Sequence, residues 1–163
     1  MRRAKLPLLL IAVASLSGLA ISQTATDSFT VSAEVIDACN LTANNLDFGS
    51  YSAISGSAVD ATSTLSVTCT NGTSYTIALD EGTTAGGAFT ARLMTDSTNT
   101  LSYNLYTSAA RTTVWGDGTG ATQTTAGTGS GTLQSLTVYG RVPSSQNVPV
   151  GSYSDSVTAT ITF

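Results

Sequence analysis

The chain has 163 residues, 41% of them hydrophobic and only 10% charged, with a net charge of −4 and no histidine. About 140 residues beyond a leader suffice for one domain with one core. The missing histidine excludes Ser-His-Asp and Cys-His catalysis and removes the commonest metal ligand.

In chain order, residues 1–22 read as a secretory signal. Met1-Arg2-Arg3-Ala4-Lys5 is basic, and Leu8 to Leu16 is short and mostly apolar. Gly18-Leu19-Ala20 and Ala20-Ile21-Ser22 both offer small residues for cleavage, so the cut falls after about residue 20–22. The alternative is an uncleaved anchor, but the apolar run falls short of the roughly 18 residues a span needs. No later stretch is long and apolar enough to insert in a bilayer.

Export changes the charge balance. Beyond the leader only Arg92, Arg111 and Arg141 are basic, no lysine remains, and all ten acids stay, for a net −7. Such a chain has little with which to neutralise phosphates, which argues against nucleic acid and anionic lipid as partners. The loss of lysine also excludes Schiff-base and Ser-Lys chemistry. Two cysteines, Cys39 and Cys69, are an even count in an exported chain and read as one disulfide. The alternative is a pair of free buried thiols.

The remaining pattern predicts an all-β domain with no helical stripe. Ser28–Ile36 alternates, with Phe29, Val31, Ala33 and Val35 on one face. Asn45–Tyr51 is a short strand carrying Leu46, Phe48 and Tyr51. Thr64–Thr70 and Ser74–Leu79 flank Asn71-Gly72 and look like a hairpin. Phe89–Met94 follows the glycine-rich turn Glu81–Gly87, and Leu101–Tyr106 and Leu133–Val142 continue the series. Gly116–Thr132 holds six glycines in 17 residues and no apolar side chain larger than alanine, and so reads as a mobile loop. The last strand, within Gly151–Phe163, alternates through Val157, Ala159, Ile161 and Phe163 and carries no charge after Asp155. An apolar edge of this kind templates pairing with another chain. A complete sandwich, in which both end strands pair within one molecule, is the competing reading.

Candidate chemistry is sparse. Asp80-Glu81 is the only adjacent acid pair and sits beside Gly82, as solvated turn acids do. Asp117 in Trp115-Gly116-Asp117-Gly118 lacks the alternating oxygen ligands of a calcium loop. No catalytic group, metal site or cofactor is expected, and the chain does not read as an enzyme.

Several short blocks fall in order along the chain. They are Phe29-Thr30-Val31 leading to Cys39, Leu46-Asp47-Phe48-Gly49-Ser50-Tyr51, and Val67-Thr68-Cys69-Thr70. They continue through Leu101-Ser102-Tyr103-Asn104-Leu105-Tyr106, Trp115-Gly116-Asp117-Gly118 and Val138-Tyr139-Gly140-Arg141. The last is Gly151-Ser152-Tyr153-Ser154-Asp155 with the terminal strand. Together they resemble the spore coat protein U domain family, which includes subunits of archaic-type chaperone–usher pili, and the resemblance covers Asp27 to Phe163. It implies an immunoglobulin-like β-sandwich, incomplete because its last strand is missing, over residues 38–163, with an N-terminal donor segment over 23–37. A periplasmic chaperone would lend a strand to the open groove, and at an outer-membrane usher the next subunit would replace it. On that model Phe29, Val31, Ala33 and Val35 fill pockets in a neighbour. Val157, Ala159, Ile161 and Phe163 edge the acceptor groove, and Cys39–Cys69 ties the first core strand to the second. The implied function is that of a fimbrial subunit, exported through the periplasm to a cell-surface fibre that supports attachment and biofilm formation. A spore or cell coat protein and a secreted sugar-binding adhesin module are the alternatives.

Overall fold

The computed structural model describes residues 21–163, so the signal segment lies outside the described residues except at its last positions. The chain divides into two units, residues 1–34 and Val35–Phe163. In the first, residues 21–34 carry no strand and all are exposed. The described residues contain no helix.

The second unit is all β. Its strands are β1 (Cys39–Ala43), β2 (Val59–Cys69), β3 (Ser74–Leu79), β4 (Arg92–Thr95), β5 (Thr100–Tyr106), β6 (Val114–Trp115), β7 (Thr122–Gln123), β8 (Thr125–Thr128), β9 (Gln134–Val142) and β10 (Ala159–Thr162). One sheet runs β1-β2-β9-β5-β6-β7, with β4 also paired to β5, and the other runs β10-β3-β8. Alternation dictates how they face each other. Leu65, Val67 and Cys69 of β2 are buried, as are Tyr75, Ile77 and Leu79 of β3, and the two rows meet in one core. Trp115 is buried there, and its indole Nε1 donates to the Ile77 carbonyl at 3.0 Å, joining the sheets.

The expected hairpin between Thr64–Thr70 and Ser74–Leu79 does not form. β2 pairs with β1 and β9, whereas β3 pairs with β10 and β8. The Asn71-Gly72 turn instead carries the chain from one sheet to the other, with Gly72 at φ 92°. Period-2 alternation is the same for a hairpin partner and for a strand packed across a sandwich, so it could not separate the two.

Asn45–Tyr51 also differs from expectation. Leu46, Phe48 and Tyr51 do pack against the core, but the backbone joins no ladder. The Asp47 carboxylate accepts from the Gly49 amide at 2.7 Å, and Gly49 sits at φ 65°, a local turn that breaks the extended run. Pairing falls instead on β1, antiparallel to β2 from Cys39↔Cys69 to Ala43↔Leu65.

The glycine-rich stretch Gly116–Thr132 is ordered structure rather than a loose loop, for it contains β7 and β8. Its glycines admit neighbours at close range. A Cβ on Gly127 would lie 2.5 Å from the Tyr75 ring, and one on Gly129 would lie 2.3 Å from the Thr70 carbonyl oxygen. The apolar surface that orders the segment belongs to its partners.

Candidate functional site: an open groove and an exposed segment

β10 pairs only with β3, and β1 only with β2, among the described residues. Both are therefore edges, one of each sheet. An open groove of about 1100 Å³ runs between the sheets, reached by Ala43 at the end of β1 and by Val157 and Ala159 on the β10 side. Its floor is the core itself. Leu65, Leu105 and Val138 come from the first sheet and Leu79 from the second, and all four also count among the most buried side chains.

The residues Val148 to Val157 wall this groove without forming a strand. They are held by side chains that imitate strand pairing. Gln146 accepts from the Ser102 amide through Oε1 at 2.7 Å and donates from Nε2 to the Ser102 carbonyl at 2.8 Å. The Tyr51 hydroxyl accepts from the Gln146 amide at 2.9 Å, and Tyr153 donates its hydroxyl to the Pro149 carbonyl at 2.9 Å. A backbone bridge joins Thr95 to Ser154.

Asp155 closes the wall. It accepts from the Tyr103 hydroxyl at 2.7 Å and from the amides of Thr83 and Thr84, both at 3.0 Å. Burial alone would raise its pKa, but hydrogen bonds from Tyr103 and Thr84 outweigh burial and hold it below the ordinary carboxylate value. Tyr103 shifts the opposite way, raised first by burial and then by its bond to the Asp155 carboxylate.

Asp80 serves the same wall. Its carboxylate accepts from the amides of Gly82 at 3.0 Å and Thr158 at 2.9 Å. Asp117 is likewise taken up locally, by the Thr119 amide and hydroxyl.

Of the four residues expected on the groove edge, Val157 and Ala159 line the groove. Ile161 is half-buried against the core. Phe163 lies past the end of β10, beside a separate shallow hollow with Tyr75 and Gly127. The segment expected to fill a neighbour is exposed throughout. Phe29 is 87% exposed, Val31 83% and Val35 84%, and Ala33 is exposed as well.

The two cysteines are bonded to each other as register partners at the start of β1 and the end of β2. Just before β1 the chain is tied down twice. Thr70 Oγ1 donates to the Ile36 carbonyl at 3.2 Å, and Thr73 Oγ1 donates to the Asp37 carboxylate at 2.5 Å. Sequence reasoning missed this root, as it missed Gln146. Thr70 and Thr73 flank the Asn71-Gly72 turn, but nothing in a threonine-rich sequence marks which hydroxyls find distant partners.

Three comparisons bear on this architecture. The family model of the Spore Coat Protein U domain matches residues 25–160. "Protein U" of Myxococcus xanthus is 38% identical over 160 residues, covering 86% of each chain. Among solved structures, a chain of the CsuC–CsuE chaperone–tip adhesion subunit pre-assembly complex from archaic chaperone-usher Csu pili of Acinetobacter baumannii superposes with a TM-score of 0.58. That match has 22% identity and covers 79% of this chain but only 40% of the other, and it establishes likeness of fold. The family model begins ahead of the exposed Phe29–Val35 segment and ends within β10, taking in the disulfide and the groove, and so the chain belongs to the Spore Coat Protein U domain family.

Proposed function

We propose that this chain is a structural, non-enzymatic subunit of a chaperone–usher surface fibre, polymerising by donor-strand exchange. One copy contributes Ser28–Ile36, with Phe29, Val31, Ala33 and Val35 filling the groove of the next along the free edge of β10. Main-chain hydrogen bonds supply affinity in such a β-zipper, and alternate side chains supply specificity. The observation that carries the reading is the pairing of an open groove floored by core side chains with an exposed, alternating apolar segment on the same chain. Before assembly a periplasmic chaperone covers the groove, and an outer-membrane usher hosts the exchange. The assembled fibre supports attachment and biofilm formation at the cell surface. The fold's likeness to a chain of the Csu chaperone–subunit complex supports this reading of the partners.

Val31→Asp tests the proposal. A carboxylate forced into an apolar groove must be desolvated, so polymer yield should fall by about tenfold or more while secreted monomer persists. The readout is sheared surface material on an SDS gel, unheated beside boiled. Wild type should give a one-subunit ladder that collapses on boiling, and an undiminished ladder from Val31→Asp would refute the pocket assignment. A second reading, a self-associating coat protein, is favoured by the family's spore-coat description, and differs in location rather than in the physics of assembly.

A further inference from the structure

The chain leaves its fold through a very short, doubly tied root. The Asp37 side chain is bound by Thr73, and the Ile36 carbonyl is bound by Thr70. The Thr70 amide also donates to the Ala38 carbonyl at 2.9 Å, and the Cys39–Cys69 bridge follows immediately. If donor-strand exchange holds, and Val35 is the last side chain to enter a neighbour's groove, only Ile36 separates that groove from the fixed Asp37. Two extended residues span about 7 Å. Little more than one layer of water fits in such a gap, so the two bodies meet at this pole of the donor.

Two exposed apolar side chains lie at this end of the sheet, where β1 and β9 both begin beside the end of β2. Ile36 is 70% exposed although its carbonyl is held. Leu133 is 69% exposed, next to the Ser130–Thr132 turn whose Gly131 amide donates to the Cys69 carbonyl at 3.0 Å. It was expected inside a strand, yet it falls just outside β9. We infer that Ile36 and Leu133 form a body-to-body contact with the acceptor copy of this chain, making each junction of the fibre a stiff joint rather than a flexible tether. The inference rests on the donor-strand reading and adds to it an interface outside the groove.

The test is to insert a flexible Gly-Gly-Ser-Gly-Gly-Ser spacer between Val35 and Ile36. The donor side chains and both ties at the root are kept, and the reach grows by about 20 Å. Expected are an SDS-resistant ladder like wild type and fibres whose persistence length in negative-stain micrographs is at least threefold shorter. Spacer fibres as straight as wild type would overturn the inference while leaving donor-strand exchange intact. Should the spacer chain yield no fibres, Leu133→Asp decides with the native linker. Floppier fibres support the contact, as does lost assembly with a secreted, disulfide-bonded monomer. Wild-type fibres overturn it. Failure of the underlying reading shows separately, as a full ladder from Val31→Asp.

Discussion

Every guanidinium nitrogen of Arg92 is hydrogen-bonded. Arg92 is fully buried, and carbonyls rather than a carboxylate hold its guanidinium. Nε and Nη2 donate to the Asp80 carbonyl at 2.9 and 2.6 Å, Nη2 also to the Trp115 carbonyl at 2.8 Å, and Nη1 to Asn104 Oδ1 at 3.0 Å. Burial lowers its pKa, and the nearby Tyr103 and Asp80 partly offset this. Arg92→Met would fill similar space while orphaning these buried acceptors. It should cost about 3 kcal/mol or more in guanidinium unfolding of the purified chain. Asp155 predicts a pH dependence. Its folded pKa is depressed, so the stability it contributes is present above the ordinary carboxylate value near ~3.9 and is lost as pH falls through the folded value. Asp155→Asn should therefore be less stable than wild type at pH 7, with the difference shrinking below about pH 4. Unfolding midpoints between pH 7 and 2 would check this. The variant's curve should flatten without becoming flat, because Asp60, Asp96 and Asp117 are also held below their ordinary values. None of this was legible in the sequence, where Arg92 was one of three scattered arginines beyond the leader and Asp155 merely the last charge before the terminal strand.

At the scale of elements, several strands were legible, others such as β1 and β8 were not, and the expected runs Ser28–Ile36 and Asn45–Tyr51 form no strand. Ser74–Leu79 is β3 to the residue, and Leu101–Tyr106 and Leu133–Val142 each lie within one residue of a strand end. Alternation marks such runs because each has one wet and one dry face. The β8 segment escaped because its sequence, Thr125-Ala126-Gly127-Thr128, supplies no apolar face of its own. Its order comes from glycines that let Tyr75 and the Thr70 backbone approach. Gly129→Ala should thus cost about 1–3 kcal/mol, since its methyl would strike a backbone oxygen rather than a side chain able to swing away. Thermal melts of the purified variant would measure the loss, and an unchanged midpoint would mean that β8 can shift. The Cys39–Cys69 bridge joins β1 to β2 across a sequence separation of 30. Its reduction should cost about 3.6 kcal/mol by the loop-entropy relation, read as the gap between oxidised and reduced unfolding curves.

For the whole molecule the proposed donor-strand assembly turns on the groove. Its floor is built from the core residues that stabilise the sandwich, so whatever fills the groove completes the core as well. An unassembled chain should accordingly enhance the fluorescence of an apolar dye, and the polymer should enhance it several-fold less per subunit. Equal enhancement by monomer and polymer would show that assembly leaves the groove open. Family membership was readable from blocks spread along the chain, and some of those blocks hold tight approaches of the fold. Gly140, for example, receives Phe48 and Leu46 so closely that a Cβ there would lie 2.8 and 2.9 Å from their side chains.

The sequence by itself determined that this is an all-β chain with one pair of cysteines, no histidine and an alternating apolar segment near each end. Those properties follow from residue type and from the two-residue period of a strand. Only the tertiary structure decided which strands share a sheet, that Asn71-Gly72 crosses between sheets, and that Gln146, Asp155 and Tyr51 hold the groove wall. It also decided that Thr70 and Thr73 tie down the root of the exposed segment. The physical reason is the same in each case: a period states how a strand is buried but not against what, and a hydrogen bond between residues 34 to 95 positions apart leaves no local mark.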